Sequence, residues 1–141
     1  SLAGVKLSGL ELDDSVHLSG YVDDIRVPVA EAIVCVVPIR QGGGTRLKIL
    51  EAMALGTPVV ATSKGAEGLD VTADHDILIA DDPVEFAAQV VRLLHGSALR
   101  EKLSANARGL VEQQYDWTQI GRRFVDLVER AATGHAPRRH R

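Results

Sequence analysis

The sequence predicts an α/β fold: a small parallel sheet of about four strands with helices, followed by an all-helical C-terminal segment. Three observations carry this. Up to about Asp82, short β-branched runs alternate with helical patterns, the order that builds parallel sheets. Ile33-Val34-Cys35-Val36-Val37 is continuously apolar, as expected of a strand buried on both faces of such a sheet. Beyond Asp82 the apolar residues recur only at helical spacing.

The predicted strands are 17–22, 33–39, 58–62 and 77–80. Between the second and third, Thr45 is a good N-cap for a helix running to about Leu55, stopped by Gly56 and Pro58. Asp82-Pro83-Val84-Glu85 reads as a capping box with proline at the first helical position. Phe86, Val90 and Leu94 then form an apolar stripe, and Gly96 closes that helix. Ser97 can cap the next, with Leu99, Leu103, Ala107 and Leu110 on one face. Asp116-Trp117-Thr118-Gln119 opens the last helix, with Trp117 a core residue at its start and Ile120, Phe124, Leu127 and Ala131 inward. Residues 1–15 show no clean period, and 134–141 read as a basic, disordered tail. One domain therefore spans 16–133.

Composition narrows the class. With 141 residues, 45% hydrophobic and 25% charged, the chain resembles an ordinary globular domain with room for one core. A net charge of −3 argues against a strongly basic nucleic-acid binder. The single cysteine, Cys35, cannot form an internal disulfide. No signal peptide or membrane span is visible, so the expected location is the cytoplasm. The basic tail, Arg138-Arg139-His140-Arg141, reads first as a solvated terminus and leaves a peripheral membrane contact open.

The chemistry concentrates in residues 38–54. A strand ends at Ile39, Gly42-Gly43-Gly44 follow, and a helix begins near Thr45. Such a junction presents unpaired N–H groups and the positive end of a helix dipole to an anion. Arg46 and Lys48 in the first turn oppose that dipole, at about 0.3–1 kcal/mol each, which makes sense if a diphosphate sits there. The competing reading is a flexible turn with solvated charges, Lys48 pairing with Glu51. Glu51 could instead accept two hydroxyls, as for a ribose diol.

These residues carry a resemblance. GGGTRLKILEAMALGTPVVA, residues 42–61, is similar to the donor-binding segment of family 4-like (group 1) glycosyltransferases of the GT-B fold. Ser19-Gly20-Tyr21-Val22-Asp23-Asp24, Gly65-Ala66-Glu67-Gly68, residues 77–83 and Tyr115-Asp116-Trp117 match as well, so the likeness covers roughly 16–130. It implies an incomplete Rossmann-like sheet. It also implies transfer of a sugar from a nucleotide-diphosphate donor to an acceptor with retained anomeric configuration, without a metal or other cofactor. Glu51 matches the second glutamate of the family's Glu-x7-Glu motif and would bind the ribose. The first glutamate falls at Gly43, so sugar contact would come from loop amides, as in the family's glycine-rich subgroup. Gly43, Gly44, Thr45, Arg46 and Lys48 would surround the diphosphate and sugar, and the backbone at Tyr21 and Val22 would lie near the base. No residue is assigned as a catalytic acid, base or nucleophile.

The resemblance further implies that the acceptor domain, which comes first in this family, is missing, with part of the donor domain. The isolated chain is then expected to be inactive and marginally folded. Its 33–37 edge would be uncovered and the strand at 17–22 left without its neighbour. The alternative is a non-catalytic nucleotide-diphosphate-binding module completed by a partner chain. Asp74-His75-Asp76 nominally fits a metal-binding Asp-x-Asp motif but reads better as a solvated turn. The histidines show no metal-ligand spacing with Cys35, and the triple glycine fits neither a Walker A nor a G-x-G-x-x-G pattern.

Overall fold

The computed structural model describes residues 14–133. The elements run α1 (Arg26–Glu31), β1 (Cys35–Val37), α2 (Leu47–Ala54), β2 (Val59–Ala61), α3 (Ser63–Ala66), β3 (Leu78–Ile79), α4 (Pro83–His95) and α5 (Ser97–Leu110). A π-helical turn (Val111–Tyr115) and α6 (Trp117–Ala132) complete the order.

The sheet is parallel, in the order β1-β2-β3, with Cys35 opposite Val59, Val37 opposite Ala61 and Val60 opposite Leu78. Alternation along β2 sends its residues to two separate cores. Val59 and Ala61 join Val37, Ile49, Ala52, Met53, Ile77 and Ala107 on one face. Val60 joins Leu78, Leu93 and Leu103 on the other. Helices thus cover both faces, the layering expected of an α/β domain.

Several expectations change. Residues 17–22 form no strand, so the described sheet has three strands and not four. Among the described residues β1 is the edge of the sheet and pairs only with β2, so the segment finds no partner there. Nor is β1 buried on both faces: Val36 is 48% exposed, and Ile33 lies outside the strand. Thr45 does not cap α2. Arg46 occupies the N-cap position, with no side-chain cap bond. Ser97 is the first residue of α5, because Gly96 already serves as its N-cap. Leu93, not Leu94, completes the buried stripe of α4, one position round the helix.

Two caps stand as read. The Asp82 carboxylate accepts from the N–H groups of Val84 and Glu85, and Asp116 from that of Thr118. The sharpest difference is α6, which contains no buried residue. Trp117 is 84% exposed, and Phe124 and Leu127 also face outward. The helix rests on the π turn, so its apolar stripe meets no core. Of the N-terminal remnant 1–15, residues 1–13 lie outside the described residues, as does the tail 134–141.

Candidate functional site

The loop after β1 is shaped by its glycines. Gly42 and Gly44 hold φ of +119° and +98°, conformations in which a Cβ would be strained, and they turn the chain back into α2. The hydroxyl of Thr62, at the end of β2, donates to the Ile39 carbonyl and fixes the start of the loop. The same oxygen accepts from the Gly65 N–H at 2.9 Å and so caps α3. Gly65 permits this packing, since a Cβ there would lie 2.8 Å from the Val37 carbonyl oxygen.

Arg46 folds inward from the N-cap position and is only 6% exposed. Its guanidinium donates to the Gly43 carbonyl and to Glu67 Oε2, both at 3.4 Å, which are long for such bonds. Its Nε is buried with no partner. A buried guanidinium with weak bonds and an idle donor is poised to take an anion. Glu67 is held more tightly by Lys64, at 2.6 Å. The Lys64 ammonium, and after it Arg46, keep the Glu67 carboxyl below the usual carboxylate range.

One cavity of about 720 Å³ brings Gly44, Thr45, Arg46 and Glu51 together. Its remaining wall is mostly apolar: Leu47, Leu50 and Ala54 from α2, Leu69, Val111, Tyr115, and Trp117 and Ile120 from α6. Glu51 is exposed, and no ion pair joins it to Lys48 among the described residues, so the pairing that would have explained both charges is not made. Gly43 lies beside the cavity as the acceptor for Arg46, whereas Lys48, Tyr21 and Val22 are not in its wall. Tyr21 is 83% exposed.

Sequence reasoning placed none of Glu67, Tyr115 and Trp117 in the site. Glu67 lies in the glycine-flanked segment 65–68, which was the available signal. Tyr115 ends the π turn, where its hydroxyl accepts from the Asp70 N–H at 2.8 Å and ties that turn to the loop after α3. Trp117 is a rim residue of the cavity and not a core residue.

Asp74-His75-Asp76 forms a turn, with Asp74 at φ +59° and paired to Arg92 at 2.9 Å. Asp76 is not solvated. It is buried and accepts from the Thr72 N–H at 2.8 Å. Among the described residues no grouping of His, Cys, Asp and Glu suits a metal ion. No described helix is long and apolar enough to cross a membrane.

Comparison with known proteins gives this geometry a context. A glycosyltransferase of Methanocaldococcus jannaschii is 25% identical over 89% of the chain. The phosphatidyl-myo-inositol mannosyltransferase of Mycobacterium leprae is 32% identical over 86% of it. The chain spans about a third of the length of these relatives, 33% in each case. The crystal structure of the C-terminal domain of a group 1 family glycosyl transferase (LpcC) from Francisella tularensis superposes with a TM-score of 0.62. Its identity is 26%, and the match covers 70% of this chain and 52% of that one. The model of the glycosyl transferases group 1 family matches residues 2–96, well over half of the chain, so the chain belongs to the group 1 glycosyltransferases.

Proposed function

We propose that the chain is the donor-binding half of a retaining glycosyltransferase that uses a nucleotide-diphosphate sugar. The observation that carries this is the cavity shared by Gly44, Thr45, Arg46 and Glu51, with its buried, under-bonded guanidinium. In this reading Arg46 and the N–H groups at the start of α2 face the diphosphate. Loop amides at Gly43 and Gly44 meet the sugar and Glu51 accepts the ribose hydroxyls, while Lys48, Tyr21 and Val22, outside the cavity wall, would meet the donor only where it extends beyond that wall.

The chemistry asked of these groups is electrostatic. When the sugar–phosphate bond breaks, the departing nucleotide diphosphate gains negative charge. Donors already in place stabilise that charge without reorganising at the moment of reaction. No protein nucleophile and no metal is needed in this scheme. The acceptor attacks from the face the diphosphate leaves, and the acceptor is held by a separate domain. The isolated half therefore binds donor but turns over little.

Calorimetry with UDP-, GDP- and ADP-sugars tests the reading. One class of donor should bind, and Glu51→Ala should weaken it about tenfold, the loss of hydrogen bonds to a charged acceptor. Equal affinity in the two proteins would remove the ribose role. Binding of none of the three would remove the donor-site reading itself.

A further inference from the structure

The guanidinium of Arg46 is unfavourably placed in the empty protein. Its charge is buried, and it lies at the N-terminus of α2, the positive end of the helix dipole. Turned out to water the side chain would escape both effects, so a specific contact must hold it inside. Of its two hydrogen bonds, one goes to the neutral Gly43 carbonyl and the other to the Glu67 carboxylate. Among the described residues Glu67 is the only carboxylate paired with it. Glu67 is itself anchored on both sides along the backbone. It directly follows α3, whose start is capped by Thr62. After it, Leu69 packs against the core around Ile49, and the Tyr115 hydroxyl accepts from the Asp70 N–H. Lys64, three residues back, holds the same Oε2 oxygen at 2.6 Å. An exposed pair such as Lys64–Glu67 adds little to stability, so the needs of the fold do not account for this chain of contacts.

We infer that Glu67, steadied by Lys64, is a positioning residue that keeps the Arg46 guanidinium in the cavity wall, ready for an anionic diphosphate. This role rests on the donor-site reading and deepens it. Only two of the guanidinium's N–H groups are bonded, and Nε is buried without a partner. Enough donors remain for a bidentate grip on a phosphate while Glu67 stays in place. Electrostatics alone has the opposite sign: a carboxylate near an anion site repels the anion, so removing its charge should tighten binding. Glu67 is more than half exposed, and water screens that repulsion. Arg46 is buried, where an aligned hydrogen bond counts for most. Orientation therefore outweighs repulsion.

Glu67→Gln removes the charge and keeps the size, so the direction of its effect separates the two. Calorimetry on the 141-residue chain uses UDP, GDP and ADP as probes. Whichever binds the parent should bind Glu67→Gln about fivefold to tenfold more weakly, the loss of one charge-assisted bond's orienting effect. In an Arg46→Met background the same substitution should change affinity by less than about twofold, because Glu67 acts through Arg46. In nitrogen-15 spectra of the empty protein, the Arg46 Nε–H should exchange with water faster in Glu67→Gln than in the parent, while the thermal midpoint barely moves. Equal or tighter binding by Glu67→Gln would overturn the role and leave the donor site standing. Equal weakening in both backgrounds would also overturn it, placing Glu67 against the ligand or in the fold at large. A lowered midpoint with unchanged Nε–H exchange would do the same. A parent that binds none of the three probes would overturn the donor-site reading and this role together.

Discussion

Glu67 answers to two cations at once, and its titration is the most direct reading of the site at the residue scale. Lys64 lies 2.6 Å away and Arg46 3.4 Å, and together they depress the carboxyl's proton affinity. A group whose folded pKa is lowered contributes its stabilisation above the ordinary carboxylate range, about 4.3 for glutamate. It loses that contribution as pH falls through the lower folded value. The Glu67 link should therefore persist through neutral and weakly acidic pH. In a carboxyl carbon-13 titration, Lys64→Met should move the Glu67 midpoint upward, since Lys64 is the larger cause. An unchanged midpoint would show that the pair does not form in solution. The Arg46 contact was not legible from the sequence, because Arg46 and Glu67 are 21 residues apart and meet only when α3 packs after β2, whereas Lys64 lies three residues from Glu67. Asp82 and Asp116, by contrast, were legible because a cap bond joins residues two or three apart. Glu51 falls between: its position on α2 could be read, but the absence of a Lys48 partner could not.

Among the elements, the tightest junction is the one between β1, β2 and the short α3. Gly65 sits where a Cβ would meet the Val37 carbonyl at 2.8 Å, and Thr62 both caps α3 and holds the end of β1. Gly65→Ala must push that backbone apart and should cost about 1–3 kcal/mol, measured as a lower midpoint in urea. Because Arg46 depends on Glu67 just after α3, the same variant should also weaken donor binding. A midpoint unchanged from the parent would mean the junction yields freely. Helix positions were largely readable because apolar period and punctuation are local. The strands were readable as runs but not as partners: 17–22 has strand-like composition and no neighbour to pair with, and β1 became a one-sided edge. The π turn left no local mark in Val111-Glu112-Gln113-Gln114-Tyr115, since its geometry depends on Tyr115 reaching Asp70. Inward assignment of the α6 stripe failed for a similar reason. Amphipathicity states that one face is apolar, not what covers it.

At the scale of the whole molecule, the two cores on either side of β2 secure the sheet, while the cavity and α6 lie on the outer side of α2 and the π turn. The groups of the proposed donor site, Gly44, Thr45, Arg46 and Glu51, therefore lie outside both cores, and substitution there need not unfold the domain. Arg46 shows what this arrangement implies for fitness. An enclosed guanidinium with a silent Nε is a handicap in the empty protein, since an unpaired buried donor costs about 1–3 kcal/mol. Arg46→Met should therefore melt higher than the parent without nucleotide sugar, yet gain nothing when the sugar is added, whereas the parent should rise with ligand concentration. A variant that melts lower in the empty state would show the arginine to be a structural strut. If the expected pattern holds, selection for robustness and selection for catalysis pull this one codon in opposite directions. A lineage released from its sugar donor would then be expected to drift toward an uncharged side chain here before its core changes.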